Sequence, residues 1–171
     1  MKYILSPIFF CLLNYCSFAQ EKLPAAANLP EQVGDIIFNP QTDQYNFKLC
    51  DKDNIYQYYG LNTSYKGDIK ALKKELFAKI KYQPQFTTVN GSITIRFIVN
   101  CKGESGWFRV YQLDGSYQKI RFAPAFVKEL SDAVKSLKGW IPGKLPDGTV
   151  ADTYFYLYFK IVKGHLKDIT I

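Results

Sequence analysis

Cys50 in FKLCDKDN and Cys101 in IVNCKGES carry the most obvious chemistry in this chain. Cys11 and Cys16 lie in an amino-terminal leader, so an exported chain keeps one pair, for which a single intramolecular bridge is open. On a chain-entropy account, closing a loop of that size contributes about 4 kcal/mol. A redox or metal-binding pair is the competing chemistry, but the sequence has no C-x-x-C and its single histidine, His165, is distant. His165 lies between Lys163 and Lys167, with Asp168 as the one nearby carboxylate that could orient it. General-base catalysis needs a positioned partner and a nucleophile, and no such set is visible. Asp51 with Asp53, and Asp147 with Asp152, flank turns, where carboxylates commonly bond the local backbone. The expectation is therefore a non-enzymatic protein with no catalytic residue, no metal ligand and no cofactor.

A binding chemistry is more visible. Tyr154, Tyr156 and Tyr158 alternate in DTYFYLYFKIV, and a strand puts such residues on one face. With Arg96 and Arg109 on neighbouring strands, they would form an aromatic platform for peptide or sugar. Alternatively, residues 35–60 cover that face and the tyrosines form a second core, which is the favoured reading because that segment must pack somewhere.

These residues need elements to position them. SITIRFIV alternates Ile93, Ile95, Phe97 and Val99 against Thr94, Arg96, Ile98 and Asn100, and turns at Cys101-Lys102-Gly103. It returns through Trp107, Arg109, Tyr111 and Leu113, a β-hairpin. Ile69, Leu72, Leu76 and Ile80 recur at helical spacing, predicting a helix over 68–80 with Asp68 as its cap. A second helix is predicted from Pro124 through the stripe Phe126, Leu130, Ala133, Val134 and Leu137, with Gly139 closing it in a left-handed cap. After the turn-rich GWIPGKLPDGTV comes a strand over 153–162, and HLKDITI is placed to fold back on it. Residues 35–60 read as a small strand or irregular layer. The expected fold is α+β: a three- to four-stranded, mostly antiparallel sheet with two helices on one face, plus an N-terminal extension.

Composition agrees with a globular domain, 47% hydrophobic and 22% charged, and the aromatic content favours β-rich packing. Lys2, the apolar run Ile4 to Leu13, and Ser17-Phe18-Ala19 form the three parts of a signal peptide cleaved after Ala19. A retained anchor or lipidation at Cys16 are the alternatives, but the apolar run falls short of the ~20 residues of a spanning helix. The expected organisation is signal peptide 1–19, an extended leader and N-terminal extension 20–64, and a domain 65–171, with no membrane span after cleavage. Loss of Lys2 takes the formal charge from +7 to +6. A basic exported domain suits an acidic partner, and no nucleic-acid motif is present.

YKGDIKALKKELFAKIKYQP, GSITIRFIVNCKGE, LKGWIPGK and YFYLYFKI occur in an order that resembles the carboxy-terminal domain of the TonB family over residues 65–162. The resemblance implies a periplasmic domain that binds an extended peptide of an outer-membrane receptor, or another envelope protein, by adding it to a sheet edge. The chain departs from that family's energy transducers in lacking a convincing spanning helix and a long Pro-rich spacer. Residues 165–171 are also placed to occupy the docking edge. The expectation is a periplasmic binding or structural module without energy transduction, with a structural protein lacking a peptide groove or a retained-anchor transducer as alternatives.

Overall fold

A computed structural model describes residues 35–171. The expected signal peptide and its cleavage after Ala19 lie outside the described residues. In chain order the elements are β1 (Tyr56–Gln57), α1 (Tyr58–Leu61), β2 (Ser64–Tyr65), α2 (Asp68–Lys79), β3 (Gly91–Val99), β4 (Ser105–Leu113), α3 (Pro124–Lys135), β5 (Trp140–Ile141), β6 (Gly143–Lys144), β7 (Val150–Ala151), β8 (Thr153–Val162) and β9 (His165–Thr170).

The fold is α+β, and its main sheet has five strands rather than three or four. β3 lies between β8 and β4, antiparallel to both, and β9 folds back antiparallel on β8. β1 makes the sheet mixed, because it runs parallel to β8 with Tyr56 opposite Thr153. The cause is local: the Tyr56 amide donates to the Asp152 carbonyl at 3.0 Å, so the chain enters alongside β8 in the same direction.

Alternation on β3 and β8 sorts the side chains as the pleat requires. Ile93, Ile95, Phe97 and Val99 meet Phe155, Leu157, Phe159 and Ile161 on one face, all buried. The same cluster holds Leu72 and Leu76 of α2 with Phe126, Leu130 and Val134 of α3, so both helices cover one face. Each of these fully buried leucines contributes about 2 kcal/mol by area removed from water. Trp140 fills the end of the core, its ring 5.1 Å from Phe97 and 4.9 Å from Phe155.

Helix ends depart from the sequence reading. Gly67 and Asp68 both take left-handed backbone, at φ 78° and 63°, so the Asp68 side chain makes no capping bond. Ile69 accordingly rotates outward and is 36% exposed, leaving Leu72, Leu76 and Ile80 as the buried stripe. α3 begins at Pro124, as that residue's fixed φ favours, but ends at Lys135 with Ser136 as its cap. Gly139 is no left-handed cap. Its carbonyl accepts from the Lys66 amide, and a Cβ there would lie 2.7 Å from the Tyr65 ring, so its lack of a side chain lets β2 approach β5.

Residues 35–57 belong to the same compact unit as the rest of the described chain. Ile36 and Phe47 bury against Ile98 and Tyr154 in a second, smaller cluster on the sheet face opposite the helices.

Candidate functional site

Register brings the sequence-selected residues onto that opposite face. Arg96 of β3 stands between Arg109 of β4 and Tyr156 of β8, Ile98 is opposite Tyr154, and Thr94 is flanked by Tyr111 and Tyr158. The five platform candidates are therefore neighbours, but they do not share one environment.

Tyr154 is buried at 6% exposure, its hydroxyl donates to Asp35 at 3.2 Å, and the Arg96 guanidinium lies 5.9 Å from its ring. Burial, then the Asp35 charge, pushes the Tyr154 hydroxyl pKa up. Arg96 is itself buried. Arg109 forks onto both oxygens of Asp43 at 2.8 and 2.7 Å and reaches the Ile37 carbonyl. Asp43 also accepts the Asn39 amide at 2.8 Å. Burial raises the Asp43 carboxyl, but the Arg109 and Asn39 bonds outweigh it and hold it below the ordinary 3.8. Residues 35–49 thus seal one half of the face. Tyr156 and Tyr158 stay half-buried beyond it. Tyr156 packs against Tyr58 at 5.7 Å, and burial with the bond to Tyr156 pushes the Tyr58 hydroxyl to about 12.

A cleft of about 590 Å³ opens beneath the covering segment, walled by Phe38, Tyr45, Phe47, Trp107 and Tyr154, with Lys48 and Lys52 among its lining. Trp107 holds φ 54°, next to the register shift where β4 bulges past Phe97. Gly106 lets Phe47 lie flat on β4, since a Cβ would come within 2.3 Å of the ring.

Cys50 and Cys101 form a disulfide, Cα to Cα 6.1 Å. Asp152, read from sequence as a turn residue, instead binds the same junction. Fully buried, it accepts the Cys50 and Asp51 amides on Oδ2 at 2.7 and 2.9 Å, and the Cys101 amide on Oδ1 at 2.9 Å. Among the described residues, Cys50, Cys101 and Asp152 are a grouping of metal-ligand types, but here the sulfurs are bonded to each other. Sequence spacing gave no sign of Asp152, whose partners lie 51 to 102 positions away. Asp51 and Asp147 do bond their own turns, at the Asp53 and Thr149 amides. His165 stacks flat on Tyr82 at 3.9 Å, and Asp168 bonds Lys73 at 2.7 Å instead of orienting it.

The sheet edges differ. The outer side of β8 is paired at one end with β1 and at the other with β9. Among the described residues β4 pairs through its outer side only at its end, where the Ile120 amide donates to the Gln112 carbonyl. By antiparallel alternation, Phe108 and Val110 turn their backbone groups the same way as Gln112, outward. The Arg109 guanidinium takes the Phe108 carbonyl, and among the described residues no strand pairs with Val110 on that side. Among the described residues no helix is long and apolar enough to cross a membrane. The chain matches no family model, no curated protein and no solved structure.

Proposed function

We propose that this chain is an exported, periplasmic protein-binding module of TonB-like fold, without enzymatic activity, that takes an extended segment of an envelope protein or outer-membrane receptor by strand addition at β4. The outward backbone of Val110 on a nine-residue edge strand, with no strand paired to it among the described residues, carries the reading. Unpaired amides and carbonyls on a strand edge are a template for an incoming strand, whose main chain supplies affinity while alternate side chains supply selectivity. The partner docks on β4 rather than β8, because β1 and β9 already pair with the β8 edge at both ends and leave only residues 155–157 between them. Two helices over one sheet face and the order of the elements support the kinship.

A photoreactive phenylalanine analogue at Tyr111 in β4, and separately at Lys167 in β9, tests this in the intact cell envelope. The expected result is one protein adduct from position 111 and none from 167. Val110→Pro, which removes an outward amide, abolishes that adduct while the melting temperature holds within a few degrees. Equal labelling from both positions, or an adduct that survives Val110→Pro, overturns strand addition. The pairing of the β8 edge with β1 and β9 favours one second reading, a structural envelope protein with no peptide groove, and absence of any β4 adduct selects it.

A further inference from the structure

We propose that the outer face of α2, with β9 beside it, binds the surface of an anionic lipid bilayer. On α2, Lys70, Lys73, Lys74 and Phe77 follow the i, i+3, i+4, i+7 spacing of one helix face, distinct from the buried stripe of Leu72 and Leu76. Lys70 and Lys74 are exposed, and Phe77 keeps 38% of its surface in solvent among them. Glu75 lies on another flank, where it holds Lys79 at 3.3 Å and accepts the Tyr65 hydroxyl at 2.7 Å. Two contacts join β9 to the lysine face. Asp168 bonds Lys73 at 2.7 Å, and His165 stacks on Tyr82, an exposed ring just past the helix. Lys163 and Lys167 flank that histidine and are exposed.

Charge complementarity names the occupant. Residues 68–81 carry five lysines, and residues 163–168 carry two. Against them stand Asp68, Glu75, Asp168 and, from α3, Glu129, which accepts the Lys81 amide at 3.3 Å. Counting all four carboxylates as charged, the face is +3. Among the described residues no carboxylate holds Lys70, Lys74, Lys163 or Lys167. Every basic side chain here is lysine. A flexible point charge suits the smeared charge of a bilayer, whereas a single fixed carboxylate or phosphate favours the arginine fork. Exposed Phe77 and Tyr82 set among lysines have the composition of an interfacial helix, whose rings enter the headgroup boundary while the ammonium groups stay at it. β4 lies at the opposite edge of the sheet from β9, so a membrane on this face leaves the β4 edge open.

Co-flotation of the intact protein with vesicles tests the proposal. At low salt, vesicles one-third phosphatidylglycerol in phosphatidylcholine are expected to bind it about a hundredfold more tightly than pure phosphatidylcholine, at about fivefold per net charge. Salt at about 0.5 M removes the preference. The triple variant Lys70→Gln, Lys74→Gln, Lys167→Gln loses it too, yet melts as the parent does, because all three side chains are exposed. Depth is read separately. Phe77→Trp fluorescence, after subtraction of the parent's two tryptophans, is quenched by chain-brominated lipid, and that of Tyr117→Trp, in the exposed loop after β4, is not. Equal binding to both vesicles, binding to neither, a preference that survives the triple variant, or no quenching of Phe77→Trp overturns the proposal. Poly-glutamate is the competing occupant: if it binds as tightly as the anionic vesicles, the face takes an acidic polymer and the membrane assignment falls.

Discussion

Replacing Asp152 with Asn changes one oxygen to an amide nitrogen and tests whether this carboxylate holds the amino-terminal layer to the sheet. The side chain accepts three backbone amides, two on Oδ2 and one on Oδ1, from segments that also carry the disulfide. Asn has one acceptor, so whichever way it turns at least one amide faces an NH2 group. A hydrogen bond to a charged group is worth roughly 1.5–3 kcal/mol, and a buried donor left unpaired costs about 1–3 kcal/mol. One lost bond with relaxation gives ~2 kcal/mol, and two give ~4 kcal/mol. Asp152→Ala, which orphans all three amides, is expected to cost about 5 kcal/mol. Urea unfolding with the disulfide intact measures the change, with an unaltered m-value showing that the unfolded state is the same. The disulfide spans 51 positions, for which chain entropy gives about 4 kcal/mol. Because both devices fix the same two loops, Asp152→Asn in a Cys50→Ala, Cys101→Ala background should cost at least 1 kcal/mol less than in the native one. An Asp152→Asn cost below about 0.5 kcal/mol, or strict additivity with the cystine, refutes the reasoning.

Further outcomes are expected at the Arg109–Asp43 fork, at Gly106 and at β9. Arg109→Met strands the buried Asp43 carboxylate and costs about 3 kcal/mol at neutral pH. Asp43 is held below its ordinary 3.8, so its contribution is present above that value and lost as pH falls through the folded one; the stability gap between wild type and Asp43→Asn should narrow in that window. Gly106→Ala forces Phe47 off β4 and is expected to cost about 2 kcal/mol in chemical unfolding, whereas Gly115→Ala, where a Cβ meets nothing, changes stability by under about 0.5 kcal/mol. β9 is held by the fully buried Ile169, so Ile169→Ala costs about 3 kcal/mol. Lys73→Ala, which breaks a half-exposed ion pair with Asp168, costs under about 1 kcal/mol and the loss fades in salt.

What the sequence made legible was whatever repeats with a period. The alternation of β3, β4 and β8, and the stripes Leu72-Leu76 and Phe126-Leu130-Val134, follow from burying one face, and the structure places them so. Helix ends were less legible. Asp68 looked like a cap, but the side-chain type says nothing of the left-handed backbone that turns it away. Gly139 looked like a stop signal, while its use is the close passage of Tyr65, a contact made from far along the chain. The second face was hardest, because residues 35–57 attach through isolated anchors: Ile36, Phe47, the fork from Arg109 to Asp43, and Asp152 under the cystine. None of these has a spacing to detect. The tyrosine alternation put three rings on one face, yet only Tyr154 lies in the second core, since the cover stops short of Tyr156 and Tyr158.

β8 bonds to β1, β3 and β9 and follows both β1 and β3 in the chain. A nascent chain emerging amino end first therefore carries Ile93, Ile95 and Phe97 for some sixty residues before the strand that pairs with them has been synthesised. Contacts of such long sequence separation form late and slowly. Chains stalled before residue 153 should thus be cut by protease along their whole length, because the strand that joins β1, β3 and β9 into one sheet is not yet present.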